Sequence, residues 1–287
     1  MIKLSVVILN FRTVSLTTKC ISSLFNNYKK EIESGDIEVI VADNASDDGS
    51  VEKLKKIKNI KLIANKENYG FGKGCNMAGN VAKGDYVLFL NSDTKVLDKG
   101  FLKMVEFLEE NKNVGILGGR LLNLDNSLQK SAGKFYTLFF FILMLLSLER
   151  FGILRASPSE TKRVDWVSGA CMMVRRNLFE KLKGFDEGLF MYVEDMELCY
   201  RAKKMGFSTY FYPHVRVMHQ ELGSSNRTFA VVQIYKGLLY FYKVHRGRWE
   251  YSVAKALLIA KARVAIIVGK ATANSYLKST YKKAIRF

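Results

Sequence analysis

Acidic residues in this chain fall where apolar runs stop. Tyr86-Val87-Leu88-Phe89-Leu90 ends in Asn91-Ser92-Asp93, and Ile37-Glu38-Val39-Ile40-Val41-Ala42 ends in Asp43-Asn44. The first run predicts a strand buried on both faces. Ligands of open α/β sheets bind just beyond the carboxyl ends of such strands. An Asp there needs a partner, and for Asp93 that partner can be a divalent cation on a nucleotide diphosphate. The plainer alternative is an Asp that opens a turn and caps a helix beginning near Asp98. Asp43 also has two readings, which coexist because they use different residues: an acid that accepts hydrogen bonds from a nucleotide's ribose or base, and part of a turn in which Ser50 caps a helix over 51–57. A calcium loop is excluded, because Ala45 and Asp48 occupy positions where a ligand and a glycine are required. Glu194 and Asp195 open another predicted helix. Acids there complement the helix dipole with no catalytic purpose, yet they can also face the cleft of Asp93. His219 ends a short strand, and a lone histidine is more often a hydrogen-bonded residue than a metal ligand.

The elements that position these residues follow from periodicity. A β-branched run over 4–9 ends at Asn10, helical spacing follows over 14–25, and a second strand follows over 37–42. That is a βαβ unit, which favours a parallel sheet. A short strand over 60–64 leads to Asn68-Tyr69-Gly70-Phe71-Gly72-Lys73-Gly74-Cys75-Asn76. Its alternate glycines and Lys73 either meet an anion at a helix start or let that helix pack closely on the sheet. Residues 163–174 read as one strand with an internal glycine, Gly169, where a bulge or a ligand's close approach is expected. Trp166 in it offers a flat face to a sugar ring or fills the core. Two short strands are expected over 208–212 and 215–219. Residues 135–148 are the most apolar stretch, shorter than the roughly 20 residues of a membrane span, so they form a core helix or an interfacial segment.

With 48% hydrophobic residues and 2 prolines, the chain can bury a sizeable core and is not a disordered protein. The net charge is +18, and half of it falls in the last 42 residues, from Arg246 onward, where ten Lys or Arg face one acid, Glu250. A helix over 253–270 gathers Lys255, Arg263 and Lys270 opposite an apolar face. It predicts either binding to an anionic membrane surface or packing on the catalytic domain. A nucleic-acid partner is ranked last. Cys20, Cys75, Cys171 and Cys199 have no metal-ligand spacing and read as buried thiols. With no signal peptide ahead of the first strand, the expected location is cytoplasmic, peripheral on the inner face of the cell membrane.

In order along residues 4–225, these stretches resemble the second family of glycosyltransferases, the inverting GT-A enzymes, in their bacterial rhamnosyltransferase-like branch. The resemblance is carried by Ser5-Val6-Val7-Ile8-Leu9-Asn10-Phe11, Val41-Ala42-Asp43-Asn44-Ala45-Ser46-Asp47, Asn68-Tyr69-Gly70-Phe71-Gly72, Leu90-Asn91-Ser92-Asp93, Trp166-Val167-Ser168-Gly169-Ala170, Gly184-Phe185-Asp186-Glu187, Glu194-Asp195 with Leu198-Cys199 and Arg201, and His219 with Gly223-Ser224-Ser225. It implies an α/β GT-A fold with a mixed, mainly parallel sheet flanked by helices. The catalytic domain would be 1–226, with a nucleotide-binding half to about 95 and an acceptor half after it. A basic helical extension would occupy 227–287. The same resemblance implies donor binding by Asn10, Asp43, Asn68, Gly70, Lys73, Asn91, Ser92 and Asp93. It implies Mg²⁺ or Mn²⁺ on Asp93 and His219, catalysis by Asp195, and an acceptor side of Trp166, Gly169, Asp186 and Glu194. Asn91 stands where the family's metal motif often has its first acid. The implied reaction moves a sugar, rhamnose from dTDP-rhamnose as first choice, to a hydroxyl of a lipid-linked saccharide in cell-surface polysaccharide synthesis. A UDP-sugar transferase and a silent nucleotide-binding scaffold stay open beside it, as does a homodimer.

Overall fold

The computed structural model describes residues 2–145, 154–220 and 226–286. The chain opens with strand β1 (Leu4–Asn10), helix α1 (Val14–Glu33), β2 (Ile37–Asp43), the short α2 (Ser50–Leu54), β3 (Lys61–Ala64), α3 (Gly70–Gly79) and β4 (Tyr86–Asn91). These strands are parallel in the order β4-β1-β2-β3. Alternation along each strand feeds two cores: Val7, Ile40 and Phe89 face one layer, while Val6, Val39 and Leu88 face the other. The register sets Asn10 level with Asp43, and Leu9 level with Asn91. The polar residues that end each apolar run therefore meet along one sheet edge. Ser50 does not cap α2. Gly49, at φ +75°, precedes the helix, and Asp48 accepts the Ser50 amide at 3.1 Å. Only glycine adopts that backbone freely, so the turn closes one residue earlier than the Ser50 reading expects.

The second half adds β5 (Thr94–Val96), α4 (Gly100–Glu110), β6 (Val114–Leu122), β7 (Leu128–Gln129), β8 (Ala132–Gly133), α5 (Leu138–Leu145), β9 (Arg155–Ala156), β10 (Lys162–Val164), β11 (Trp166–Val167), β12 (Cys171–Arg175), α6 (Arg176–Lys181), α7 (Glu194–Lys204) and β13 (Ser208–His219). The main sheet continues as β4-β12-β6-β13-β10, with β12 antiparallel to both neighbours. Two expectations are corrected here. Residues 163–174 are three strands, because the chain turns at Ser168–Gly169 and β11 leaves for a small sheet with β8 and β9. Residues 208–219 are one strand. Pro213 removes one amide donor and the register shifts between Tyr212 and Arg216, but the backbone stays extended. β5 pairs with the end of β13, setting His219 opposite Thr94, next to Asp93.

Three helices close the chain: α8 (Arg227–His245), α9 (Arg248–Ala271) and α10 (Ser275–Ala284). Tyr235, Leu238, Phe241 and Tyr242 of α8 belong to the same core as Val7 and Phe89. α9 turns Ala254, Leu258, Ala262 and Gly269 inward and leaves Val253, Val264, Ile267 and Val268 exposed. The four cysteines are buried and free. Of the apolar stretch at 135–148, residues 146–148 lie outside the described residues.

Candidate active site

At the sheet edge, Asn10 and Asp43 form a buried pair. Asn10 Nδ2 donates to Asp43 Oδ2 at 2.6 Å, and Asn10 Oδ1 accepts from Thr17 at 2.6 Å. Asp43 Oδ1 takes the Ser46 amide at 2.8 Å. Both carboxylate oxygens are thus engaged within the chain, and neither Asn10 nor Asp43 lines the cleft. Asn44 links the loops above them, donating to Asn68 Oδ1 at 3.0 Å and to the Gly70 carbonyl at 2.8 Å. Here a cavity of about 300 Å³ opens, lined by Phe11, Thr13, Asn44, Asn68, Gly70, Phe71, Asn91, Ser92 and Asp93, with Phe190 and Phe229 opposite.

The α3 glycines serve close packing. Gly70 has φ +78°, and a Cβ there would stand 2.1 Å from the Phe190 carbonyl oxygen. The Phe71 amide donates to that same oxygen at 2.7 Å. A Cβ on Gly74 would press on Leu9. Lys73 does not line the cleft; its Nζ lies 3.2 Å from Glu187 and 4.8 Å from the centre of the Tyr69 ring.

Asn91, Ser92 and Asp93 stand at the centre. Ser92 Oγ shares a hydrogen bond with Thr13 at 3.2 Å. His219 Nε2 lies 3.3 Å from Asn91 Nδ2 and 3.3 Å from Asp93 Oδ1. Asp93 Oδ1 and Asn91 Oδ1 are buried and have no hydrogen-bond donor among the described residues. Unpaired buried oxygens beside an imidazole nitrogen are a fitting donor set for a hard divalent cation that keeps water and phosphate ligands as well.

A second cavity, also about 300 Å³, shares Phe71, Asn91, Asp93 and Met191 with the first, so the two form one cleft. Its walls carry Glu194, Asp195, Trp166, Ser168, Gly169, Tyr136, Arg155, Gln129 and His219, and α8 adds Ala230, Ile234 and Leu238. Asp195 Oδ2 accepts the Gly169 amide at 3.1 Å and Oδ1 accepts the Met196 amide at 2.7 Å. Burial raises the Asp195 carboxyl above its ordinary value, while these amides and Arg155 work the other way. Glu194 is 5% exposed and its Oε2 has no partner among the described residues. Burial, and then the charge of Asp195, pushes Glu194 well above the ordinary carboxylate range. Of the two, Asp195 accepts the backbone amides that favour its carboxylate form. Such a carboxylate can accept a proton from a hydroxyl in the cleft.

The turn that launches α7 is strained. Tyr192 and Val193 have φ +66° and +74°, unfavourable above all for a β-branched residue. Val193 is buried, and Gly237 of α8 lets that helix approach the turn. Trp166 is largely wall: its indole N–H donates to the Lys134 carbonyl at 2.9 Å and its ring lies beneath Arg155. Asp186 stands outside the cleft lining. It accepts from the Gly188 amide and the Tyr240 hydroxyl, fastening α8 to this loop. Gln129, Tyr136, Arg155 and Ser168 line the cleft without having been singled out from the sequence. Gln129 and Arg155 come from two-residue strands that carry no motif.

A mixed, mainly parallel sheet flanked by helices, with a cleft at the ends of its parallel strands, is the GT-A architecture. The chain belongs to glycosyl transferase family 2, whose profile matches residues 5–183. It is 28% identical over 222 residues to an N-acetylglucosaminyl-diphospho-decaprenol L-rhamnosyltransferase of Mycobacterium tuberculosis, covering 67% of this chain and 69% of the relative. It is 31% identical over 160 residues to the rhamnosyltransferase WbbL of Escherichia coli, covering 53% and 61%. Among solved structures it resembles the mannosyltransferase PcManGT of Pyrobaculum calidifontis in complex with GDP-Man and Mn²⁺. The TM-score is 0.59 at 16% identity, over 98% of this chain and 84% of that one. It also resembles GalNAc-T7 with UDP, GalNAc and Mn²⁺, with a TM-score of 0.61 at 18% identity, over 85% and 51%. The protein is a glycosyltransferase of that family.

Proposed function

We propose that this glycosyltransferase inverts the anomeric centre and moves rhamnose from dTDP-rhamnose to a hydroxyl of a lipid-diphosphate-linked saccharide. The observation that carries this is Asp195, held by the Gly169 amide in a cavity continuous with the one ending at Asn91-Ser92-Asp93. The rhamnosyltransferase relatives support rhamnose as the sugar, and the diphospho-decaprenol relative supports the acceptor class.

In this reading the sugar nucleotide occupies the cavity between Asn68 and Ser92, and the acceptor occupies the cavity beside Trp166 and Gly169. Asp195 takes the proton of the acceptor hydroxyl as its oxygen attacks the anomeric carbon. The new carbon–oxygen bond forms on the face opposite the diphosphate. The old bond breaks with its electron pair going to the departing diphosphate, so configuration inverts. Asp93, His219 and the Asn91 amide oxygen would hold a divalent cation. When bound, it supplies positive charge against the leaving diphosphate. Glu194, protonated beside Asp195, keeps a second negative charge out of the acceptor cavity.

Among the described residues no helix is long and apolar enough to cross a membrane. In this reading the enzyme meets its lipid acceptor by surface contact. α5 packs on α9 and exposes Phe139 and Ile142, while α9 exposes Val264, Ile267 and Val268. With the basic residues from Arg246 onward, this face suits an anionic bilayer. The test of the chemistry is transfer from dTDP-rhamnose to a lipid-diphosphate saccharide. Asp195→Asn should abolish product while dTDP still binds. Equal product from Asp195→Asn would remove Asp195 as base.

A further inference from the structure

Beyond the cleft, one hydrogen-bonded chain runs from His219 to the surface hairpin between β6 and β7, and its direction can be read link by link. Its outer end is Asp125, and the Ser127 hydroxyl beside it holds its carboxyl below the usual range. A carboxylate only accepts, so the Ser127 hydroxyl donates to Asp125 Oδ1 at 2.6 Å. Ser127 Oγ then has a lone pair for Asn123 Nδ2 at 2.9 Å. That turns Asn123 Oδ1 toward Gln129, whose Nε2 donates to it at 3.0 Å. Gln129 Nε2 also reaches the His219 carbonyl at 3.4 Å, which fixes the same orientation of the amide. Gln129 Oε1 is left facing His219 Nδ1 at 2.7 Å, an acceptor that requires a proton on Nδ1. The lone pair of His219 is thereby assigned to Nε2. The inner contacts agree: Asn91 Nδ2, a donor, lies 3.3 Å from Nε2, and Asp93 Oδ1 lies 3.3 Å away without a hydrogen bond.

We infer that Gln129 is a positioning residue for the cation site. It holds His219 in the Nδ1–H tautomer, so that Nε2 presents its lone pair beside Asp93 and Asn91. The inference rests on the reading of Asp93 and His219 as cation ligands. Hydrogen bonding to the far nitrogen of a metal-binding imidazole sets both its tautomer and its orientation. Gln129 is buried on β7, whose pairing with β6 holds it at the right height.

The experiment uses two readouts on the full chain. Long-range ¹H–¹⁵N correlation spectra of the metal-free protein, at a pH where imidazole is neutral, report the tautomer of each of its three histidines. Mn²⁺ titration with dTDP present reports affinity. The expected results are an Nδ1–H signature for His219, lost in Gln129→Leu together with affinity weakened on the order of 10–100-fold. Gln129→Glu, which keeps an acceptor toward Nδ1, should retain the Nδ1–H signature. An Nε2–H signature in the unmodified protein, which needs no variant to fold, would overturn the inference. So would Mn²⁺ affinity unchanged in a folded Gln129→Leu. A distinct failure, Mn²⁺ affinity unchanged in Asp93→Ala with the Nδ1–H signature intact, would sink the cation reading and leave the tautomer standing.

Discussion

Asp195 and Glu194 are neighbours in sequence, and their hydrogen-bond partners separate them. Two backbone amides stabilise the Asp195 carboxylate, while Glu194 has a bare Oε2 in the interior. Replacing Asp195 with Asn should lower turnover by roughly 10²–10⁴-fold with little change in nucleotide affinity, read by steady-state kinetics beside calorimetry. Because burial raises Asp195, the acid limb of the kcat/KM profile should lie above the ordinary carboxylate range. Glu194 makes a stability prediction. Its carboxyl binds a proton more tightly in the fold than in the unfolded chain. Its contribution is therefore full below the unfolded carboxylate value and is lost as pH rises through the folded one. Glu194→Gln does not titrate. Its melting temperature should match that of the unmodified protein in acid and exceed it increasingly toward neutral pH, by about 2–4 °C for each kcal/mol. A difference that stays constant with pH would contradict this assignment.

At the scale of elements, the cleft depends on close approaches that only small residues allow. Gly70 starts α3 against the Phe190 carbonyl with a left-handed backbone. Gly70→Ala combines backbone strain with overlap against main chain. It should cost about 2 kcal/mol or more in denaturant unfolding and weaken donor binding. Much of this architecture is legible from residues alone. Asp43 and Asp93 stand out because strand-like, largely apolar runs give way to polar residues there, and Glu194-Asp195 because an apolar stripe follows. Gly169 marks an irregularity in the sequence, but that the strand breaks there is not legible, since only pairing with β8 pulls Trp166 and Val167 away. Gln129 and Arg155 are hidden for a related reason. Each sits in a two-residue strand too short to show a pattern, Gln129 placed by the hairpin to β6 and Arg155 by distant pairing to β8. The sequence also left open whether the glycines at 70, 72 and 74 bind an anion or pack, and distances to Phe190, Phe185 and Leu9 favour packing.

The whole molecule presents the cleft on one sheet edge and exposed apolar side chains on α5 and α9, which pack on each other. Periodicity showed α9 as amphipathic but not that it carries two apolar stripes, Ala254, Leu258 and Ala262 inward and Val264, Ile267 and Val268 outward. Ile267→Ser with Val268→Ser should preserve the fold and reduce co-sedimentation with anionic vesicles several-fold, since each side chain loses roughly 1–3 kcal/mol of apolar burial. Retention equal to the unmodified protein would contradict the docking face. The central claim is that this cleft transfers a sugar using Asp195 and Asp93. The direct measurement is nucleoside diphosphate release from a panel of nucleotide sugars with Mg²⁺ or Mn²⁺ and a lipid-diphosphate saccharide, for the unmodified protein, Asp195→Asn and Asp93→Ala. The account predicts selective release from dTDP-rhamnose that is lost in both variants. Release from no donor, together with no nucleoside diphosphate binding, would contradict it.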